Sequence, residues 1–210
     1  MIVLGLTGSI GMGKTTTAGD FRRLGVPVFD SDAEVHKLLG CGGHGVARVG
    51  DRFPDALKNG AIDRAVLGKQ VFGNGEALKS LERILHPLVR AEQGAFLRRC
   101  ARQRQRMVLF DIPLLYETGA EARCDAVAVT SAPAFIQQQR VLSRPGMSRD
   151  KLRGILDRQM PDDEKRRRAD FVILTGLGRS YALRQVCEIV RVLRLCCGGV
   201  WPPGLGHGGL

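Results

Sequence analysis

The chain has 210 residues, 44% of them hydrophobic and 25% charged. That usage fits one globular domain with room for an inserted subdomain, and it excludes overall disorder, collagen and coiled coil. No apolar run approaches the roughly 18 residues of a membrane span, and Met1–Ile10 has no basic leader region, so neither a spanning helix nor a signal peptide is expected. Lys plus Arg is 32 against 21 acids, a net charge of +11. The excess points to polyanionic partners, either phosphorylated small molecules or nucleic acid, unless it is only a soluble Arg-rich surface. The six cysteines (41, 100, 124, 187, 196 and 197) show no zinc spacing and read as reduced thiols of a cytoplasmic protein. Cys124 and Cys187 lie in apolar runs and are expected in the core.

In chain order, Ile2–Leu6 is a short apolar run, the pattern of a buried parallel strand. A Gly-rich turn follows, then a helix from Lys14 to Leu24, a second strand at 26–29 and a short helix at 33–39. From His44 to Arg106 no convincing strand is present. Phe53-Pro54, Asn59-Gly60 and Gly73-Asn74-Gly75 divide this region into helical pieces, the last a long one from Pro87 to Arg106. Strands return at 107–111, 126–129 and 171–174, with helices at 133–142, 148–158, 162–169 and 181–195. Alternation of this kind defines an α/β fold with a parallel sheet and helices on both faces, carrying a helical insertion. The core is read as 1–32 and 106–195, the insertion as 33–105, and the last 15 residues, with six Gly and two Pro, as a disordered tail.

Gly8-Ser9-Ile10-Gly11-Met12-Gly13-Lys14-Thr15 matches G-x-x-x-x-G-K-[ST] at every fixed position. From this composition ~0.007 chance matches are expected. Backbone N–H groups of Gly8, Gly11, Met12 and Gly13, and of Lys14, Thr15 and Thr16 at the helix start, suit phosphate oxygens. The Lys14 ammonium suits the β- and γ-phosphates and the Thr15 hydroxyl a Mg²⁺ ion. This is a P-loop nucleotide site. No N-K-x-D motif of a GTPase is present, and the length is that of a small-molecule kinase.

A kinase needs a group that positions the acceptor hydroxyl and takes its proton. Asp30 and Asp32 stand where the second strand ends. Two apart on a strand they would face the same way, toward the phosphate loop; the alternative is that one or both cap the following helix. Asp111 ends an apolar strand, the place of a Mg²⁺-coordinating carboxylate, or else it is a turn residue before Pro113. Arg140, Arg144 and Arg149 flank Pro145-Gly146 between two helices, as a basic lid over a triphosphate or as a solvated helix end.

Taken together, these segments resemble the dephospho-CoA kinase family over about residues 1–176. The carriers are Gly5–Thr15, Leu24–Val28 leading into Asp30-Ser31-Asp32, Leu85-His86-Pro87-Leu88-Val89, Asp111–Glu117, Arg158-Gln159, Glu164-Lys165 and Ala169–Ile173. The resemblance implies a P-loop fold with a five-stranded parallel sheet, a helical CoA-binding insertion and a lid at about 137–160. It implies phosphorylation of the ribose 3′-hydroxyl of dephospho-CoA by ATP, with Mg²⁺, giving CoA and ADP. By position Asp32 is the catalytic base, with Lys14 and Arg140 also catalytic and Arg144 on ATP. His86, Leu115 and Glu117 contact the acceptor with Asp32, and Thr15 and Asp111 hold the metal, the latter directly or through water. Thr175-Gly176 stands where the family often has Asn followed closely by Gly. A monomer or weak homo-oligomer is expected, with no nucleic-acid or membrane partner. Two alternatives remain. One is a small-molecule P-loop kinase with a nucleoside or nucleotide acceptor. The other is a nucleic-acid-binding module using Arg98, Arg99, Arg102, Arg104 and Arg106, a run that lacks interleaved aromatics.

Overall fold

A computed structural model describes residues 1–201. The chain divides into two compact units, Asp30–Arg99 and the remainder. The sequence boundaries of 33 and 105 fall a few residues inside and outside that division.

The larger unit is built on a five-stranded parallel sheet in the order β2-β5-β1-β6-β7. Its strands are β1 (Ile2–Thr7), β2 (Val28–Asp30), β5 (Met107–Asp111), β6 (Ala126–Ser131) and β7 (Phe171–Leu174). β1 is central: Ile2 aligns with Met107 and Leu6 with Asp111 on one side, and Leu4 with Ala126 on the other. All six of its residues are buried, which is why it reads as a continuous apolar run and not as an alternation. One face, through Ile2, Leu4 and Leu6, packs on Ala18 and Phe21 of α1 (Lys14–Arg23) and on α9 (Arg179–Leu193). α9 contributes Ala182, Val186, Ile189, Val190 and Leu193, a 3.6-residue stripe. Cys187 falls one position off that stripe and is exposed, so its expected core place is corrected, while Cys124 is half-buried as a residue with its thiol packed inward against Gly5. The remaining helices of this unit are α6 (Ala134–Leu142), α7 (Arg149–Leu156) and α8 (Asp162–Arg168).

The smaller unit holds α2 (Ser31–Leu39), α3 (Val46–Arg52), a hairpin of β3 (Leu57–Lys58) and β4 (Ala61–Ile62), and α4 (Arg64–Val71). It also holds most of α5 (Gly75–Arg102). Its core gathers Leu39, Val49, Phe53, Ala56, Ile62, Leu67, Ala77, Leu81 and Leu85. Two expectations are corrected here. The region does contain strands, because Asn59 and Gly60 take φ of 49° and 72° and close a hairpin. The long helix also starts well before Pro87, because Ala77, Leu81 and Leu85 recur every fourth residue and bury one face into that core.

Of the stretch expected to lack order, residues 196–201 are described and are tied down. The Gly199 and Val200 amides donate to Asp125 Oδ1 at 2.6 and 2.9 Å, while Val3 N–H donates to Oδ2 at 2.7 Å. Residues 202–210 lie outside the described residues. Among the described residues no helix is long and apolar enough to cross a membrane.

Candidate active site

The Gly-rich loop joins the end of β1 to the start of α1. Gly11 (φ 78°) and Gly13 (φ 87°) occupy left-handed backbone, which only glycine adopts without strain. Space is short as well: a Cβ on Gly11 would stand 2.6 Å from Val141 Cγ2, and one on Gly13 3.1 Å from Thr175 Oγ1. Gly13 also caps α1 without a side-chain acceptor, and the first turn carries no acid. The N–H groups of that turn and the positive end of the helix are therefore available to an anion. Thr15 and Thr16 are exposed there.

Lys14 Nζ donates to Asp111 Oδ1 at 2.5 Å, and Asp111 is buried at the end of β5. The register that aligns Leu6 with Asp111 brings this carboxylate beside the loop. Asp111 is thus a strand-end carboxylate facing the phosphate loop and not a solvated turn residue. Asp111 and Thr15 offer hard oxygen donors, with Lys14 linking one to the turn that carries the other. Mg²⁺ usually takes one or two protein ligands and completes its shell with phosphates and water, so the set fits that ion. No cluster of three or more His, Cys, Asp or Glu suited to a metal is present among the described residues.

The loop is gripped from outside by residues that sequence reasoning missed or placed otherwise. Arg140 was expected on phosphates. Its guanidinium lies at the loop and donates to the Gly11 carbonyl (3.4 Å) and to Thr175 Oγ1 (3.0 Å) and O (2.7 Å). Thr175 Oγ1 donates to the Met12 carbonyl at 2.8 Å. Met12 is buried, and its sulfur accepts from Ala132 N–H. Gln137 Nε2 donates to the Ile10 carbonyl at 2.8 Å, and Ile10 N–H donates to Gln159 Oε1 at 3.0 Å. In the sequence only the Arg158-Gln159 and Thr175-Gly176 segments stood out near these contacts, and neither names its partner.

Two residues expected to contact the acceptor are engaged inside the protein. Leu115 is fully buried, with Cδ1 2.6 Å from where a Gly5 Cβ would stand, and so is a core residue. Glu117 Oε1 accepts from Met160 N–H at 2.8 Å and pairs at 2.9 Å with the fully buried Lys165. Burial pushes the Glu117 carboxyl up, but the Lys165 ammonium and the Met160 amide outweigh it and hold it below its ordinary value. Arg144 is exposed between α6 and α7, as is Arg149 at the start of α7.

The smaller unit carries the other expected site residues. Asp30 is the N-cap of α2, accepting from Ala33 N–H at 3.0 Å. Asp32 is exposed in the first turn. The two therefore do not share a strand face, as their spacing had suggested, because β2 ends at Asp30. His86 is exposed on α5 next to Pro87.

A parallel sheet with a glycine loop between its central strand and first helix, a lysine in the first turn and a carboxylate on the adjacent strand define a P-loop phosphotransferase. Within that class, the model of the dephospho-CoA kinase family matches residues 2–177, and the chain belongs to this family. It is similar to the dephospho-CoA kinase of Paramagnetospirillum magneticum, 60% identical over 166 residues that make up 79% of this chain and 78% of the relative. It is also similar to that of Mesorhizobium japonicum, 53% identical over 92% of this chain and 98% of the relative. The solved dephospho-CoA kinase from Campylobacter jejuni superposes with a TM-score of 0.70 at 27% identity, covering 92% of this chain and 97% of that one.

Proposed function

We propose that the protein transfers the γ-phosphoryl group of ATP to the ribose 3′-hydroxyl of dephospho-CoA, forming CoA and ADP. The observation that carries this reading is the 2.5 Å Lys14–Asp111 pair at the mouth of the glycine loop, in a chain that belongs to this family. The substrate 3′-oxygen attacks the γ-phosphorus, the bond from that phosphorus to the β,γ-bridging oxygen breaks, and the hydroxyl proton leaves to a carboxylate. Little covalent work falls to the protein, so positioning and charge stabilisation dominate.

Loop amides and Lys14 hold the β- and γ-phosphates and stabilise charge on the transferring group. Thr15 and Asp111 would hold Mg²⁺, which would supply neutralisation of the phosphate charge. Asp32 takes the proton and orients the hydroxyl, a role supported by its exposed carboxylate and its place in the Asp-Ser-Asp segment. His86 binds the acceptor and Arg144 the ATP phosphates. Arg140 grips the loop through the Gly11 carbonyl and Thr175 and has further N–H groups for the ATP phosphates, while Leu115 and Glu117 shape the acceptor cleft from within the protein framework. The protein works as a monomer or weak homo-oligomer in the cytoplasm.

The test is CoA formation from ATP, Mg²⁺ and dephospho-CoA by the parent and by Asp32→Asn. The variant is expected to lose about a hundredfold in kcat with ATP affinity within about twofold of the parent. ATP binding with no transfer to dephospho-CoA by the parent would overturn the substrate. Full activity of Asp32→Asn would remove Asp32 as the base.

A further inference from the structure

Ile10, at the tip of the phosphate loop, is held through both of its backbone polar groups by side chains at the two ends of the α6–α7 segment. Gln137 of α6 donates to its carbonyl, and Gln159, just past α7, accepts from its amide. A backbone N–H only donates and a carbonyl only accepts, so the backbone fixes which end of each glutamine amide faces the loop. In a trans peptide the C=O and the next N–H point in opposite directions. Holding the Ile10 carbonyl outward therefore turns the Gly11 N–H to the other side of the loop. The Thr175 bond to the Met12 carbonyl does the same for Gly13 N–H, and Arg140 holds the Gly11 carbonyl between them. The Met12 N–H is used internally, by Ser9 O at 3.1 Å.

Gln159 is itself anchored. The next residue, Met160, donates its N–H to Glu117, whose carboxylate is paired with buried Lys165 of α8. Ser131 donates to Asp162 at 2.6 Å and ties the same helix to β6. A continuous polar path thus runs from α8 through Glu117, Met160 and Gln159 to the loop tip.

We propose that Gln159 is a positioning residue for the phosphate loop, acting with Gln137 to aim the loop amides at the nucleotide phosphates. The proposal rests on the kinase reading for its activity readouts, but nucleotide binding alone also tests it. It places the effect on ATP and not on the acceptor.

The polarity of the clamp supplies the experiment. Gln159→Glu keeps an acceptor for the Ile10 amide, whereas Gln137→Glu replaces a donor with a carboxylate facing the Ile10 carbonyl. Both add the same charge. In the full-length protein, Gln159→Leu is expected to raise both the Kd and the KM for Mg²⁺-ATP about five- to tenfold, with the KM for dephospho-CoA within about twofold. Gln159→Glu should recover most of that loss, Gln137→Glu should not, and thermal melting should separate these effects from unfolding. Three results would overturn the proposal: ATP affinity of Gln159→Leu within about twofold of the parent, equal effects of Leu and Glu at 159, or a rise of both KM values alongside a lowered melting temperature. If Gln137→Glu fails to fold, the pair at 159 decides alone. If the parent binds ATP without phosphorylating dephospho-CoA, the substrate reading fails and the ATP dissociation constants still judge the clamp.

Discussion

Gly13 has two independent reasons to be glycine, a φ of 87° and Thr175 side-chain atoms within 3.2 Å of any Cβ. Left-handed backbone costs an L residue roughly 1–2 kcal/mol before any crowding. Gly13→Ala should therefore lower the melting temperature and, by pushing Thr175 off the Met12 carbonyl, weaken ATP binding. Calorimetry and nucleotide titration of the one variant check both. Lys14→Met should leave the fold intact and reduce kcat by about a hundredfold or more, measured as CoA formed per enzyme at saturating substrates. At this scale the backbone of the loop was legible, because its motif is contiguous and each residue type answers to local backbone chemistry, except that the Met12 N–H, expected on phosphate, is taken by Ser9 O at 3.1 Å. Arg140, Leu115 and Glu117 were not. Their roles depend on Thr175, Gly5 and Lys165, partners that lie far off in the chain and become neighbours only through the sheet. Gln137 and Gln159 went unread for the same reason, since a glutamine carries no charge or spacing that announces its partner.

The elements of the sheet were legible because buried parallel strands are unbroken apolar runs. β5 and β7 match their sequence bounds, and β1 extends by one residue. The β3–β4 hairpin was missed because each strand has two residues, too few to show a period, although Asn59-Gly60 is a hairpin turn pair. Asp63, which follows β4 and caps α4, joins these elements. Its Oδ1 accepts from Ala65 and Val66 N–H at 3.0 and 3.2 Å, and Lys58 of β3 donates to Oδ2 at 2.9 Å. The Lys58 hydrogen bond, with help from the Val66 amide, holds its pKa below the ordinary 3.8. A depressed carboxylate pKa means stabilisation that is present above 3.8 and lost as pH falls through the lower folded value. Asp63→Asn keeps an oxygen for the cap but no charge for Lys58. Its stability deficit in urea unfolding should be measurable at about pH 7 and smaller at about pH 3, below the ordinary value of 3.8. An unchanged deficit at both pH values would show that the ion pair contributes nothing.

Across the whole molecule, the sequence separated an α/β P-loop core from a helical insertion but not the cut between them. Asp30–Asp32 belong by packing to the smaller unit, a fact that rests on the capping of α2 by Asp30 and is invisible in the alternation of elements. The thiols give a reading of both units at once. Cys41, Cys187, Cys196 and Cys197 are exposed, and Cys100 is buried. Burial pushes the Cys124 thiol up to about 12, so at about pH 8 it holds almost no thiolate, the form that attacks a disulfide reagent. Titration of the native protein with an aromatic disulfide should therefore show four fast thiols, and six after unfolding. Cysteine-to-serine variants should assign the two protected ones to Cys100 and Cys124. A fast fifth thiol would mean that the packing of Cys124 against Gly5 and the Ala120 carbonyl opens in solution. Since Gly5 belongs to β1, two residues from its end, such opening would loosen the strand that carries the phosphate loop. The fifth thiol should then react more slowly when saturating Mg²⁺-ATP is added, because nucleotide binding favours the closed form.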